Sequence, residues 1–365
     1  MRIGVDCHVL AGKYQGSRTY LSNLYREVLK LDGTNEYLFF GHWNGSSPFG
    51  STVRYVEYRS VSRWKRLTYQ TRPLARQHEV ALFHSTYIAP LMIPCNSLLT
   101  VHDILFKTHP LFFKKSLVMR NRLLVRHSAK RAKQVHTISE YTRRALVEKY
   151  RLSPDIVEVV PVGVDLERFH RRNPEAGSEH IEKQFGVKEY ILTVGRLEPR
   201  KNHVGLIRAY SIVKERYKDV GPLVIAGQKD FGFDGIFKIR RHLGLEDSVK
   251  VLTTVDDNQL CDLYRAACMF VYPSFAEGFG IPPLEAMACG IPVVTSNVTA
   301  IPEVVGDAAL LVDPSNVEEI AHAMYQVLTD SILAADLSHK GRKQAEKWSW
   351  TNSAQRYLNA VAKLR

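Results

Sequence analysis

The chain has 365 residues, 45% hydrophobic and 24% charged, with a formal net charge of +13. That length exceeds one ordinary core and points to two domains. The even composition excludes a low-complexity chain, and no apolar run approaches the about 18 residues of a membrane span. The five cysteines (Cys7, Cys95, Cys261, Cys268 and Cys289) are scattered and never spaced as CxxC. They argue for buried thiols in a reducing compartment over a disulfide or zinc framework.

The chain opens on a strand within MRIGVD, without the pattern of a secretory signal, so a cytoplasmic location is expected. Ile3–Val5 is the first strand. A glycine-bearing loop, Gly12 to Tyr20, follows, and then the helical stripe Tyr20, Leu21, Leu24, Val28, Leu29 and Leu31. Strands are expected at Tyr37–Phe40, Val53–Val56, Ala81–His84 and Ser97–Val101, the last running into His102 and Asp103. A long basic helical region from Phe112 to Lys133 precedes a strand at Gln134–Ile138. Ser139 caps a helix to about Tyr150, and Ile156–Pro161 is one more strand. The polar stretch His170–Gly177 reads as an interdomain linker.

The second half repeats the rhythm more cleanly. Strands are expected at Tyr190–Val194, Leu223–Ala226, Val249–Leu252, Met269–Tyr272, Pro292–Thr295 and Ala309–Val312. Helices are expected from Asn202, after the capping box Asp256/Gln259, over Val317–Leu328, over Ile332–Lys347, and over Trp350–Arg365 as a separate amphipathic element. Alternating strands and helices in both halves predict two parallel sheets covered by helices. Ligands of such sheets bind at the C-terminal strand ends. Gly16, His102, Arg196 and Glu277 all follow strands.

The most informative stretch is Pro273–Gly290, PSFAEGFGIPPLEAMACG. It reads as a strand exit, a glycine loop and a helix start marked by Pro282 and Pro283. Glu277 and Glu285 flank the turn. A carboxylate there can accept hydrogen bonds from paired ribose or sugar hydroxyls, and amides at the helix start can meet a phosphate. Arg196 and Lys201, on the loop Gly195–Asn202, match a diphosphate leaving group whose negative charge grows as a bond to it breaks. His102 could bond a sugar hydroxyl or move a proton. Gly16 permits close backbone approach, although the loop lacks a dinucleotide fingerprint. There is no DxD-type pair and no His/Cys cluster with metal-ligand spacing. No metal is therefore expected.

These residues carry a resemblance over nearly the whole chain to the family-4 (group 1) retaining glycosyltransferases with the GT-B fold, mannosyltransferase-like members among them. Glu277-Gly-Phe-Gly-Ile-Pro-Pro-Leu-Glu285 is similar to that family's EX7E motif, and Gly195-Arg-Leu with Lys201-Asn202 to its donor-phosphate loop. Ser139-Glu140, Pro161–Asp165 and Pro302–Asp307 match further landmarks. The resemblance implies two Rossmann-like doubly wound domains facing each other across a cleft. An acceptor-side domain would span 1–172, a donor domain 178–347, and a helix at 350–365 would cross back. It implies that Glu277 and His102 serve catalysis. Arg196, Lys201, Glu285 and the backbone of Gly278, Phe279, Gly280 and Ile281 would hold the donor, and Gly16 would lie under the phosphates or near the acceptor. Two departures stand out: Arg18 where the family often has a second glycine, and Thr253-Thr254 where it often has one near the base.

The expected reaction is hexose transfer, mannose favoured, from a nucleotide-diphosphate sugar such as GDP-mannose to a saccharide or lipid-linked saccharide in polysaccharide or O-antigen synthesis. Domain closure would assemble the site and exclude water. A front-face route and a covalent carboxylate intermediate both stay open. A phosphorylase or sugar-nucleotide epimerase on the same fold is the second reading, and a basic nucleic-acid binder a remote third. The basic region 112–133 reads first as a helix packed on the first sheet. Its interleaved Phe112, Phe113, Leu117, Leu123 and Leu124 also suit peripheral contact with anionic membrane.

Overall fold

The computed structural model of the protein describes residues 1–11, 16–43, 48–51, 53–170 and 174–365. The chain separates into two compact units, Met1–Gly163 with Trp350–Arg365, and Val164–Ser349.

In the first unit the strands are β1 (Arg2–Asp6), β2 (Glu36–Gly41), β3 (Arg54–Glu57), β4 (Leu82–Thr86), β5 (Asn96–Thr100), β6 (Gln134–Thr137) and β7 (Val157–Val159). All neighbours are parallel, in the order β3-β2-β1-β4-β5-β6-β7. Every residue of β4 and β6 is buried. Strands covered on both faces lose the polar alternation of an exposed sheet, which is why they read as short runs. Helix Gly16–Leu31 turns Tyr20, Leu21, Leu24, Tyr25 and Val28 inward.

The C-terminal helix Trp350–Ala362 is tied into this unit by a polar chain. Tyr25 Oη lies 2.8 Å from Tyr357 Oη and 2.6 Å from His84 Nδ1. Gln134 Nε2 donates to the carbonyl of Ala360 at 3.1 Å. Each of these groups is buried, so an unmade bond would carry a full desolvation cost, and the seat is specific as well as apolar.

In the second unit the strands are β8 (Ile191–Val194), β9 (Leu223–Ala226), β10 (Val249–Leu252), β11 (Met269–Tyr272), β12 (Val293–Ser296) and β13 (Leu310–Val312). The order is β10-β9-β8-β11-β12-β13, again parallel throughout. Both sheets reverse direction beside their first strand, between β1 and β4 and between β8 and β11. At such a switch point the two exit loops diverge to opposite faces and leave a crevice.

Two sequence expectations change. The second half of the linker expected over 170–177 is helix: Pro174–Phe185 is α-helical, while 171–173 lie outside the described residues. Pro174 takes the first helical position, where its missing N–H costs nothing. The division between units falls at Gly163/Val164, ahead of that stretch. The basic region expected over 112–133 is one helix, Lys115–Arg131, preceded by a short helix Leu105–Thr108 and a 3-10 turn Pro110–Phe112, and it buries Val118, Val125 and Ala129. No helix among the described residues is long and apolar enough to cross a membrane.

Candidate active site

The loop leaving β8 and the loop leaving β11 meet at the switch point of the second sheet. Pro199–Lys201 forms a 3-10 turn, and Asn202, at φ 55°, caps the helix His203–Arg216. The side-chain oxygen of Asn202 accepts from Gly205 N, and its amide donates to the carbonyl of Pro314 at 2.7 Å. The amide of Phe275 donates to the carbonyl of Arg200 at 2.9 Å, so the two loops are joined main chain to main chain.

This joint puts Glu277 between two cations. Its Oε1 accepts from Lys201 Nζ at 2.7 Å, Ser274 Oγ at 2.6 Å and Tyr272 Oη at 2.8 Å. Its Oε2 lies 2.8 Å from Arg200 Nη1. Lys201 Nζ also donates to Tyr272 Oη. Arg200 Nη2 donates to Glu198 Oε1 at 2.6 Å, and its Nη1 to the carbonyl of Ala276 at 2.5 Å. All four charged side chains are about nine-tenths withdrawn from solvent, with exposures between 9% and 11%.

Burial by itself would raise the Glu277 carboxyl, but Arg200 and then Lys201 hold it down to about 2. Burial works against the Arg200 guanidinium, yet Glu277 and Glu198 carry it above its ordinary value. Burial and the neighbouring Arg200 push the Lys201 ammonium down against the pull of Glu277. The result is a dry, electroneutral cluster of two acids and two bases.

The glycine loop closes the other side. Gly280 sits at φ 116°, and a Cβ there would lie 2.5 Å from Ile301 Cδ1. Phe279 is buried, edge-on to Trp348 at 5.1 Å. Pro282 and Pro283 remove two N–H groups from the first turn of helix Ile281–Ala288. The amides of Phe279 and Gly280 have no hydrogen-bond partner among the described residues. Donors for an anion therefore come from the loop more than from the helix.

Arg196 and Glu285 have other neighbours. Arg196 is 46% exposed and ion-paired to Asp230 at 2.6 Å. Its carbonyl lies 3.2 Å from His203 Nε2. Glu285 is half-buried and accepts from Tyr264 Oη at 2.8 Å. Burial pushes its carboxyl up to about 7, opposed by Tyr264 and Arg168.

In the first unit His102 stands just past β5 and is buried edge-on to Tyr20 at 4.8 Å, with Tyr87 at 5.5 Å. Burial pushes its imidazole down to about 4, so it is neutral at pH 7, and its Nε2 has no hydrogen-bond partner. Gly16 opens the helix Gly16–Leu31 and is exposed, and a Cβ there would meet nothing within 4 Å. Residues 12–15 of the expected loop lie outside the described residues.

Of the expected residues, the structure joins Lys201 to Glu277 and keeps Arg196 and Glu285 on separate partners. Arg200 carries more of the site than the sequence indicated. The signal was present: a buried Glu277 at a switch point needs more than one counter-charge. Among the described residues no group of three His, Cys, Asp or Glu side chains is placed to hold a metal ion.

Two parallel-sheet units, one carrying a phosphate-type loop stitched to an acid-bearing glycine loop, define a GT-B glycosyltransferase, an enzyme that moves a sugar from a nucleotide-sugar donor. Residues 178–344 match the family described as Glycosyl transferases group 1, and residues 14–168 match Glycosyltransferase Family 4. The chain belongs to the group 1 glycosyltransferases. O-antigen chain mannosyltransferase B of Escherichia coli is 34% identical over 72% of this chain and 68% of that protein. Serotype-specific mannosyltransferase WbdA of Escherichia coli is 32% identical over 64% of this chain, which spans 29% of that longer relative. Among solved structures, sucrose-phosphate synthase from Thermosynechococcus elongatus superposes with a TM-score of 0.80 over 100% of this chain and 99% of that chain, at 21% identity.

Proposed function

We propose that the protein transfers mannose from GDP-mannose to a saccharide or lipid-linked saccharide acceptor in O-antigen synthesis, with retention at the anomeric carbon and without a metal ion. The mannosyl assignment is supported by the names of the two Escherichia coli relatives. Work at the cytoplasmic face, with peripheral contact to anionic membrane, belongs to the same reading.

The observation that carries the mechanism is the heavy hydrogen bonding of Glu277, which fills Oε1 and leaves acceptor capacity on Oε2 alone. With three donors on Oε1 and a guanidinium on Oε2, and its carboxyl held near 2, it is a weak nucleophile and a weak base. Its fitting role is a fixed acceptor that orients the donor sugar and anchors Lys201. The diphosphate is then met by Arg196, Lys201 and the free amides of Phe279 and Gly280, which neutralise charge as the glycosidic bond to phosphate breaks. The leaving phosphate oxygen takes the acceptor proton on the same face, so configuration is kept without a covalent enzyme intermediate. His102, neutral and with a free Nε2, is the residue we assign to a hydroxyl of the donor sugar. Glu285 receives the ribose hydroxyls.

The test is a donor panel. The protein is incubated with GDP-mannose, UDP-glucose or ADP-glucose and a lipid-linked saccharide, with and without EDTA, and the product linkage is read by NMR. An α-mannosyl product that survives EDTA is expected. Transfer from another donor, a β-linked product or loss of activity in EDTA would each refute its part of the reading.

A further inference from the structure

On the first unit, a pocket of about 490 Å³ lies apart from the strand-end residues named so far. It is lined by Lys107, Arg122, Leu123, Arg126, Lys149, Tyr150 and Arg151. Three elements build it: the short helix Leu105–Thr108, the helix Lys115–Arg131, and the end of helix Glu140–Tyr150. Arg122 and Arg126 stand four residues apart and so share one helix face. Arg151 follows Tyr150 in a left-handed conformation, at φ 56°.

The pocket lining is basic and holds no carboxylate, the nearest acids being Glu148 beside Lys149 and Asp103, which acts on the Tyr150 hydroxyl. Lys149 pairs with the adjacent Glu148 at 2.6 Å. Lys107, Arg122, Arg126 and Arg151 have no carboxylate partner among the described residues. Four such cations around one concavity repel one another unless an anion is held between them.

A second, independent sign is Tyr150. The residue is 1% exposed and its hydroxyl is buried without a hydrogen-bond partner. Arg126 and Arg122 both act electrostatically on that hydroxyl. A buried hydroxyl left unpaired costs free energy, and a native fold tolerates it where a ligand completes the bond.

We propose that this pocket binds a phosphoryl group, with Arg122, Arg126, Lys107 and Arg151 meeting its charge and Tyr150 donating its hydroxyl. Guanidinium groups suit phosphate oxygens because their paired N–H groups match them bidentately. Exposed Leu123 in the lining and exposed Met119 one turn earlier would border a ligand that carries an apolar portion. The phosphoryl group could be that of a lipid headgroup or of a free phosphorylated compound, and two arms of one experiment separate these.

Inorganic pyrophosphate binding to the full chain is measured by calorimetry for wild type, R122Q/R126Q, Tyr150→Phe and a control of equal charge change, R240Q/R241Q. Pyrophosphate can also enter the diphosphate loop of the other unit, so the site is scored by the difference between proteins. We expect binding at least about tenfold weaker in R122Q/R126Q, about threefold to tenfold weaker in Tyr150→Phe, and unchanged in the control. In the second arm, the same proteins are sedimented with phosphatidylcholine vesicles, with and without phosphatidylglycerol. Loss of phosphatidylglycerol-dependent sedimentation in R122Q/R126Q alone identifies a lipid headgroup. Pyrophosphate discrimination without vesicle discrimination identifies a free phosphorylated ligand. Equal binding by wild type and R122Q/R126Q in both arms, or equal losses in R122Q/R126Q and the control, overturns the proposal.

Discussion

Removing Glu277 should damage the second unit as well as its chemistry. Glu277→Ala takes away the counter-charge of Lys201 and half that of Arg200, both withdrawn from water. Arg200 keeps its hydrogen bond to Glu198, whereas Lys201 keeps the Tyr272 hydroxyl and ring and a longer-range pull from Glu198. Breaking a buried ion pair by deleting one partner costs about 3–5 kcal/mol, because the remaining charge is left dry and unpaired. The carboxyl gives a second route to the magnitude. Held at about 2 against an ordinary value of 4.5, it represents roughly 3 kcal/mol of stability. The sign follows from the depressed value: this stability is present above the ordinary carboxyl range and is lost as pH falls through about 2. The assay is urea unfolding of wild type and Glu277→Ala at pH 7, followed by calorimetry. The midpoint should drop by about 10 °C if unit two melts as a domain of its size. Glu277→Gln, which keeps the shape and one acceptor, should lose less stability but nearly all turnover. A loss below about 1 kcal/mol in Glu277→Ala would refute the ion cluster, and near-normal turnover in Glu277→Gln would refute the role of the carboxylate in transfer.

The remaining predictions use the same geometry. The Glu285 carboxyl lies near 7, and only its ionised form can accept from both ribose hydroxyls, so GDP affinity should climb as pH rises toward 7, by up to about tenfold per pH unit below it, then level off. Calorimetry across pH 5.5–8 with wild type and Glu285→Gln checks this, and a pH-independent wild type refutes it. Asp230→Asn releases Arg196 from its exposed ion pair; KM for the donor should fall, by at most about fivefold, with kcat unchanged. A raised KM would mean that Asp230 positions Arg196 productively. Gly280→Ala forces a Cβ onto Ile301 at φ 116° and should cost about 1–3 kcal/mol, with donor binding weakened as the loop shifts. Unchanged melting and binding would show that the loop can re-form.

Much of the fold was legible because parallel strands buried on both faces have sharp ends. Leu223–Ala226, Val249–Leu252 and Met269–Tyr272 occupy the bounds their apolar runs predict. The caps were legible for the same local reason: Ser139 accepts from Thr142 N, and Asp256 and Gln259 bond reciprocally. The helices that escaped carry weak periodicity or early breakers. Asp234–His242 buries Ile236 alone, and Ile301–Val305 is barely one turn with a proline inside it. Near Arg63–Gln77 the backbone passes through a π-turn, whose period matches no simple sequence pattern.

The site shows the same division between local and non-local information. Glu277, Gly280 and Lys201 are marked by neighbours in the chain, and sequence finds them. Arg200 is marked by Glu277, 77 positions later, which only the β8–β11 switch brings within 2.8 Å. Arg196 looked stronger because it directly follows the strand, yet that position leaves it exposed and bound to Asp230. Charge accounting then assigns the work. Within the cluster Glu198 and Glu277 already balance Arg200 and Lys201, so a diphosphate finds no surplus charge there. On the proposed reading the surplus must come from Arg196 leaving Asp230 and from the unpaired amides of Phe279 and Gly280, while Lys201 offers a placed N–H donor. The cluster's own contribution is to hold Lys201 rigidly where the diphosphate arrives, which requires that its geometry be complete before the donor binds.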